Sequence, residues 1–580
     1  FTMTETSPKS AEEGSKTKPK EEFATPFSFL TCPATIAVTV IRIGLLLPQE
    51  WLPFDSSSII GWFLHNKDMA PFWVSTLIRP FETWDHLKEA KSIRHLFGGD
   101  TPQFRDAYIG SYVHLPPLVL AALEPILDLF PSETTQSFVV GGMAHLVDLA
   151  IALQFLQLGQ YVLKELRDPW EDSLQPRVPQ SIRPPLAHVF PIGEEEVEYT
   201  NELPAKIVQE EENETAEPTE DTNGNSHTQQ EEITAVIEED TEPPTFVWTQ
   251  LPLLSAQLYY YSPFTALASG LGTTHHSFQN LWVLMLMVAL HKGSCPRSSS
   301  LIPLVSFHLA IGSYTELQYW VFLIPLSLWI KRRAENSGQD GKRNVAALWL
   351  FFGFWFACLQ GLTLLLVGGS QYTSVLQSSF GHVFKWKSLH PNFSVLWYLN
   401  MELFERYRTY FSVLIGGLPY LLLVPLTIRL HRYPMVLVTM LWMLWTLIRS
   451  SSTLVDATIG VCFALLCPRS LSYMRVTTSL IPLFALTVPI SLYVVTLWMW
   501  LETGAGEANF TFFQCLAYCA FVATIFLEFA GASMRRDKVL RLTEKELKKA
   551  AEAKNSIEGL DWECSEEADK GIMLKEAEKE

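Results

Sequence analysis

The segment from Leu389 to Phe411, LHPNFSVLWYLNMELFERYRTYF, contains the residue types that could recognise a lipid head group. It places two carboxylates, Glu402 and Glu405, among aromatic rings. Carboxylates accept hydrogen bonds from hydroxyl or ammonium groups, and rings pack against sugars or acyl chains. On a continuous helix, Tyr398, Glu402 and Glu405 would share one face, because they are spaced by four and then three residues. This pattern predicts a binding stripe.

A second interpretation of the same residues is structural. Trp397, Met401 and Phe404 would form an apolar strip beside the predicted stripe. An aromatic belt at the membrane interface, with Glu402 and Glu405 paired to nearby arginines or to another helix, would use the same side chains. An ionisable residue at membrane depth is nevertheless a default candidate for function. The spacing alone leaves both interpretations open.

The composition indicates the kind of fold that must position this segment. The chain has 580 residues, of which 48% are hydrophobic, and it includes 18 Trp and 36 Phe. Long stretches such as Ile481–Trp500 carry no charge, and about 20 apolar residues span a bilayer as a helix. Since helices satisfy their own backbone groups in lipid, we expect an all-α polytopic membrane protein. No nucleic-acid partner is expected.

The apolar runs predict about 12 transmembrane helices. They lie near 26–47, 137–161, 247–261, 277–291, 300–315, 317–330, 346–367, 410–430, 434–448, 453–467, 476–501 and 510–533. Alternate ends of these spans carry Lys and Arg, and by the positive-inside rule those ends face the cytosol. The first span is expected to be retained rather than cleaved, because Arg42 interrupts it and no small-residue cleavage site follows. A segment at 113–130 is expected to be partly embedded.

Five regions follow from this topology. They are a disordered tail at 1–25, first spans at 26–166 with a large lumenal loop at 48–112, a disordered cytosolic loop at 167–246, a main transmembrane bundle at 247–534, and a charged cytosolic tail at 535–580. Residues 194–242 hold 18 acidic side chains against one lysine. Such a composition cannot bury a core, so it is typical of disorder. The tail after Arg535 has helical Glu and Lys spacing, typical of a solvated or partner-binding helix.

No catalytic residue, cofactor or metal is predicted. Cys515 and Cys519 would share one face of a helix, but no histidine accompanies them, so a packing role is expected. Nucleophilic catalysis by a cysteine would need a Cys–His pair, and no cysteine lies near a histidine in a predicted lumenal loop. His275 and His276 are adjacent and would point apart on a helix, which argues against metal binding by both.

The pattern L-x-P-N-x-x-x-x-W-Y-x-x-x-E-x-F-E-x-Y, from Leu389 to Tyr407, resembles the signature of the PIG-U family of GPI transamidase subunits. Further segments are similar to that family in the same order: Pro80–Ala90, Tyr261–Ser269, Val424–Pro434 and Arg449–Gly460. In the last of these, Arg449 stands where the family has lysine, whereas Ser450, Thr453 and Asp456 match. The resemblance runs from the first loop to the last span.

The resemblance implies a non-catalytic subunit of the endoplasmic reticulum GPI transamidase, with a multi-pass, GT-C-like architecture. Such a subunit would help to recognise and present the GPI glycolipid, while the nucleophilic Cys and its His belong to a Cys-protease-like partner subunit. Its partners would be the other transamidase subunits, the GPI glycolipid and the membrane. By matching position, the candidate lipid-recognition residues are Asn392, Trp397, Tyr398, Glu402, Phe404, Glu405 and Asp456.

Two other functions remain as alternatives. A GT-C mannosyltransferase would use acidic residues placed close together in the first lumenal loop, whereas Asp85, Asp100 and Asp106 stand apart and only Glu82 lies near Asp85. General acid–base chemistry needs placed groups, so solvated loop carboxylates are the favoured interpretation. A lipid transporter or scramblase would be supported by inverted repeats, and no clear internal repeat is visible.

Overall fold

A computed structural model describes residues 24–46, 117–118, 129–130, 133–165, 250–270, 274–295, 301–369, 372–379, 391–449, 452–501 and 504–577. Within these ranges every regular element is a helix. The α-helices are α1 Pro26–Thr31, α2 Pro33–Leu46, α3 Glu133–Glu165, α4 Leu251–Tyr261, α5 Pro263–Gly270, α6 Thr274–Ser294, α7 Ile302–Thr315, α8 Leu323–Asn336, α9 Gly341–Val367, α10 Tyr372–Ser379, α11 Leu396–Glu402, α12 Glu405–Leu430, α13 Pro434–Ile448, α14 Leu454–Leu465, α15 Pro468–Ser472, α16 Val476–Ala485, α17 Thr487–Leu501 and α18 Ala508–Ala577. A 3₁₀ segment, Leu317–Phe322, leads into α8.

The main core lies where α3, α4 and α14 pack together. The Phe155 ring lies 5.8 Å from the Tyr259 ring and 5.3 Å from the Phe463 ring, and all three side chains are fully buried. Gly159 allows α3 and α4 to approach, because a Cβ at this position would lie 2.7 Å from the Pro252 Cβ. Small residues at such crossings bring helix backbones close in membrane bundles.

Five helices in the described part of the chain are long and apolar enough to cross a membrane. They cover Gly141–Leu163, Gly341–Val367, Glu405–Leu430, Thr477–Leu497 and Ala508–Lys549. Shorter apolar helices occupy Pro33–Gly44, Pro434–Ile448 and Leu454–Leu465. The all-helical class and the membrane character are therefore confirmed. The count of 12 spans and the GT-C architecture stay predictions.

Several predicted boundaries agree with the structure, and others fall outside it. The span predicted at 434–448 coincides with α13, and those predicted at 346–367 and 300–315 end with α9 and α7. The predicted loop at 48–112 and the acidic segment at 194–242 lie outside the described residues. The same holds for the segment at 113–130, apart from four of its residues.

Three runs predicted as single spans are not single α-helices. The first divides between α1 and α2 at Cys32, whose backbone is extended because Pro33 follows it. The run at 476–501 divides between α16 and α17 at Leu486. The run at 317–330 begins as the 3₁₀ segment and continues in α8 to Asn336.

The last span does not end where its apolar pattern ends. The apolar run was expected to stop at 533, ahead of a separate polar tail, yet α18 continues without a break to Ala577. Ion pairs along its polar part, such as Lys548 with Glu544 at 2.8 Å and Lys549 with Glu546 at 3.2 Å, have helical spacing. Such pairs stabilise an exposed helix by a few tenths of a kcal/mol each.

Basic side chains and helix ends gather at one end of the bundle, which we call the basic end. Arg333 Nη1 donates to the Gly293 carbonyl at 3.1 Å, Arg332 donates to the Arg432 carbonyl, and Arg535 Nη2 donates to the Tyr473 carbonyl at 2.9 Å. These contacts join the ends of α6, α8, α12 and α15 to one another and to the middle of α18. Because α12 runs toward this end and α13 runs away from it, α11 and the start of α14 lie at the opposite end.

Candidate functional site

Two consecutive hydrogen bonds between side chains and the backbone order the Pro391–Ser394 turn, which precedes α11. Asn392 Oδ1 accepts a hydrogen bond from the Ser394 backbone N–H at 2.7 Å. Ser394 Oγ then accepts one from the Leu396 N–H at 3.1 Å. Asn and Ser favour such turns because their short side chains reach backbone groups two residues ahead. Asn392 is fully buried, so this predicted lipid-recognition residue lies beneath the surface.

A small apolar cluster holds the turn in place. The Phe393 ring lies 4.3 Å from the Tyr493 ring and 4.9 Å from the Tyr518 ring. Trp397 is also fully buried and stacks near Trp500 at 6.1 Å. Buried rings at these separations contribute favourably beyond the area they remove from solvent. Trp397 therefore anchors α11 against α17.

Cys515 and Cys519, in the first part of α18, bind the same turn. Cys515 Sγ donates to the Asn392 carbonyl at 3.1 Å, and Cys519 Sγ donates to the Phe393 carbonyl at 3.4 Å. Both thiols therefore lie on one face of α18, and their predicted packing role is confirmed. Within the described ranges, no group of three or more His, Cys, Asp or Glu side chains could hold a metal ion.

Tyr398 connects α11 to the first turn of α18. Its ring stacks on Phe512 at 4.2 Å with an interplanar angle of 17°. Its hydroxyl donates to Asn509 Oδ1. Asn509 was not among the predicted site residues. The structure thus adds an amide to the polar groups at this end of the bundle.

The helix expected to run through Tyr398, Glu402 and Glu405 is interrupted. Glu402 ends α11, Leu403 and Phe404 have extended backbones with ψ of 135° and 139°, and Glu405 begins α12. The expectation of one continuous face, and of an apolar strip beside it, is therefore wrong. The break separates the groups, since Trp397 is fully buried whereas Phe404 is 80% exposed.

The break creates an exposed corner between α11 and α12. We call it the α11–α12 corner, and it comprises Glu402, Phe404, Glu405, Tyr407 and Tyr410, all exposed. Glu405 occupies the first turn of α12, where the helix dipole favours a negative charge. The corner therefore presents rings and carboxylates together. The sequence indicated this combination of groups, but on a continuous helix rather than at a break between two helices.

Asp456 lies in a separate, buried ionic cluster. Thr453 caps α14, because its Oγ1 accepts from the Asp456 N–H at 3.2 Å and its hydroxyl donates to Asp456 Oδ2 at 2.7 Å. Arg449 lies between two acids, with Nη2 3.1 Å from the Glu316 carboxylate and Nη1 3.7 Å from Asp456 Oδ2. Thr453 and Asp456, which match the resembled family, therefore order the start of α14, and Arg449 joins them to the end of α13.

A second buried ion pair joins the first apolar helix to the bundle. Arg42 Nη1 lies 2.9 Å from Asp148 Oδ2, and both side chains are fully buried. Arg42 Nη2 donates to the Tyr260 carbonyl at 2.6 Å, and the Tyr259 hydroxyl donates to Asp148 Oδ1 at 3.0 Å. Sequence reasoning noted Arg42 but missed its partner, although Asp148 is the one acid within the span predicted at 137–161.

Most of the remaining sequence candidates lie in a part of the chain that the structure does not describe. Glu82, Asp85, Asp100 and Asp106 lie outside the described residues. His275 and the residue after it are consecutive positions in the first turn of α6. The possible mannosyltransferase carboxylates are therefore not tested by the structure.

Comparisons with known proteins agree with the resemblance noted in the sequence. A family model described as GPI transamidase subunit PIG-U matches residues 80–518. The human GPI-anchor transamidase component PIGU is 20% identical over 295 residues, which cover 50% of this chain and 65% of that protein. The Saccharomyces cerevisiae GPI transamidase component GAB1 is 22% identical over 245 residues, covering 42% of this chain and 58% of that protein. This chain therefore spans just under two thirds of the human relative.

Proposed function

This chain belongs to the PIG-U family, and we propose that it is a non-catalytic subunit of GPI transamidase in the endoplasmic reticulum membrane. In this role it helps to recognise the GPI glycolipid and to present it for attachment to precursor proteins. The names of its relatives, GPI transamidase components, support the assignment. Its partners are then the other transamidase subunits, including the Cys-protease-like catalytic subunit.

The exposed α11–α12 corner is the observation that carries the lipid-presenting role. It joins two carboxylates, Glu402 and Glu405, to a ring, Phe404, that is 80% exposed. A ring on the surface can pack against acyl chains or sugars, and the carboxylates can accept from hydroxyl or ammonium groups. A membrane interface accommodates exposed aromatic rings together with charged groups. The surface of a soluble protein does not require an exposed ring of this kind.

The seven predicted recognition residues divide into two groups under this proposal. Glu402, Phe404 and Glu405 contact the glycolipid directly. Asn392 and Trp397 hold the corner in position from below, because both are fully buried in the turn and its apolar cluster. Tyr398 adds the stacked link to α18, and Asp456 orders the start of the neighbouring α14.

The corner faces the lumen in this proposal. It lies at the end of α12 opposite Arg429 and Arg432, and cationic helix ends face the cytosol. A lumenal corner at the interface is where a membrane-embedded glycolipid would offer its head group.

Cells that lack this chain provide the test of the function. We expect complete GPI glycolipid to accumulate while a GPI-anchored reporter disappears from the cell surface, because the glycolipid is made but not attached. Lipid analysis by thin-layer chromatography and flow cytometry of the reporter measure the two quantities. Affinity purification of the full chain is expected to recover a Cys-protease-like subunit.

A different lipid profile would overturn the proposal. If the same cells accumulate a truncated, under-mannosylated glycolipid, the chain acts before attachment, as a mannosyltransferase would. Re-expression of the intact chain is the control, and it must restore both the reporter and the normal glycolipid level.

A further inference from the structure

A cavity lies beside the buried Arg449 cluster, between the 3₁₀ segment, the end of α13 and the start of α14. The space that the centre of a water-sized sphere can occupy in it is about 10 Å³. Four aromatic side chains line it: Tyr319, Phe322, Trp442 and Trp445. A space of this size holds about one group as large as a water molecule, and an ammonium group is of that size. The cavity can therefore take one small polar group against its aromatic walls.

The polar side of the cavity has an excess of acid over base. Arg449 and Asp456 line it directly, and Glu316 lies behind Arg449 at 3.1 Å. One guanidinium therefore faces two carboxylates, all of them nearly buried. Because Arg449 is already engaged by both acids, it has little capacity left for an anion. The local charge favours a cationic ligand.

Gln318 supplies an independent observation at the same cavity. Its side chain lines the cavity and is only 8% exposed. Its Oε1 atom is buried, and no described residue donates a hydrogen bond to it. A buried amide oxygen without a donor is unusual, because buried polar groups are nearly always paired. The missing partner must therefore donate a hydrogen bond.

We propose that this cavity binds a primary ammonium head group. Such a group carries one positive charge and three N–H donors and has no acceptor, so it complements both the excess negative charge and the Gln318 oxygen. The rings of Trp442 and Tyr319 add cation–π attraction. A trimethylammonium group has no N–H for Gln318, and a phosphate would face the two carboxylates.

The cavity is connected to the α11–α12 corner through α14. Leu454, two residues before Asp456, belongs to the same small apolar cluster as Phe393 and Trp397. A head group in the cavity therefore lies at the same end of the bundle as the corner. The inference rests on the proposed function only for the source of the amine, which is either the glycolipid or an ethanolamine phospholipid of the bilayer.

Binding of defined lipids to the purified full chain tests the proposal. Lysophosphatidylethanolamine is titrated against lysophosphatidylcholine and lysophosphatidylglycerol, with bound lipid counted by native mass spectrometry. We expect the primary amine to bind about tenfold more tightly than the other two, since a hydrogen bond with a charged partner typically contributes about that factor. Equal binding of the three lipids, or none, overturns the proposal.

Two substitutions at Gln318 separate binding from packing. Gln318→Met keeps the side-chain length and removes the acceptor, so we expect the preference for the amine to fall about tenfold. Gln318→Glu adds a negative charge, so we expect tighter binding of the amine. Gln339→Met, on an exposed glutamine near the basic end, should leave the preference unchanged. A purely structural Gln318 would lower thermal stability in both variants without changing head-group preference.

Competition identifies the source of the amine. If purified GPI glycolipid displaces lysophosphatidylethanolamine, the cavity binds the glycolipid. If the phospholipid stays bound, the cavity binds an ethanolamine phospholipid of the bilayer. The two proposals fail separately. If cells that lack the chain lose reporter attachment but the purified chain shows no preference for the amine, only the cavity proposal is rejected. If the purified chain prefers the amine but those cells attach the reporter normally, only the transamidase role is rejected.

Discussion

Asp148→Leu is expected to destabilise the protein by about 3–5 kcal/mol, because it leaves a buried guanidinium without its counter-charge. Arg42 is fully buried and lies 2.9 Å from Asp148. Its other partners, Thr265 Oγ1 at 2.7 Å and Ser269 Oγ at 3.2 Å, are neutral. They cannot replace a carboxylate in a site from which water is excluded.

The expected loss is large because the pair organises several helices at once. Asp148 Oδ1 accepts from the Tyr259 hydroxyl at 3.0 Å and from Asn280 Nδ2 at 2.5 Å. Arg42 therefore lies at the centre of a network that joins α2, α3, α4, α5 and α6. Breaking the pair weakens the packing of α2, which carries Arg42, against the rest of the bundle. We expect less protein at steady state and a lower unfolding temperature in detergent.

A double substitution distinguishes the charge from the packing. Arg42→Met combined with Asp148→Leu removes both charges and keeps apolar volume, so it should recover part of the stability lost by either single variant. Glu335→Ala is the matched control, because its ion pair with Lys331 at 3.7 Å is solvent-exposed and such pairs contribute little. If Asp148→Leu unfolds at the same temperature as the original chain, the ion pair does not support the fold.

Combined replacement of Glu402 and Glu405 by alanine is expected to lower GPI attachment about tenfold without reducing the amount of protein. Both carboxylates are exposed at the α11–α12 corner, and the loss of one hydrogen bond with a charged group already accounts for a factor of about ten. Surface positions of this kind rarely affect folding by more than about 0.5 kcal/mol. Flow cytometry of an anchored reporter and immunoblotting of the chain provide the two measurements.

Two comparisons show whether the corner acts through the lipid. Phe404→Ala should lower attachment, whereas Phe354→Ala, on a ring that is 58% exposed in α9, should not. Trp397→Ala should lower attachment through loss of the protein itself, since deleting a buried tryptophan costs about 3–5 kcal/mol. Normal attachment in the Glu402 and Glu405 double variant, with loss only in Trp397→Ala, would show that the motif is structural.

The sequence predicted best the parts of the fold that depend on neighbouring residues. The apolar run that begins at Pro434 predicted both ends of α13. Helical spacing predicted that Cys515 and Cys519 would share a face. These features follow from local propensity and capping, which act over a few residues.

The features that the sequence could not predict depend on distant contacts. The break at Leu403 has no proline or glycine to indicate it, and it separates a buried α11 from an exposed start of α12. The partnership of Arg42 with Asp148 spans 106 positions, and that of Arg449 with Glu316 spans 133. Pairing of buried charges depends on which helices become neighbours, and helical periodicity carries no information about that choice.

The buried turn also has a consequence for how the chain is made. Asn392-Phe393-Ser394 matches the acceptor sequence for N-linked glycosylation, yet Asn392 and Ser394 are fully buried in the folded protein. A glycan on Asn392 would prevent the turn from reaching the thiols of Cys515 and Cys519. A sugar chain and the native turn are therefore mutually exclusive at this asparagine, and any glycosylated copy would be a molecule that had failed to fold.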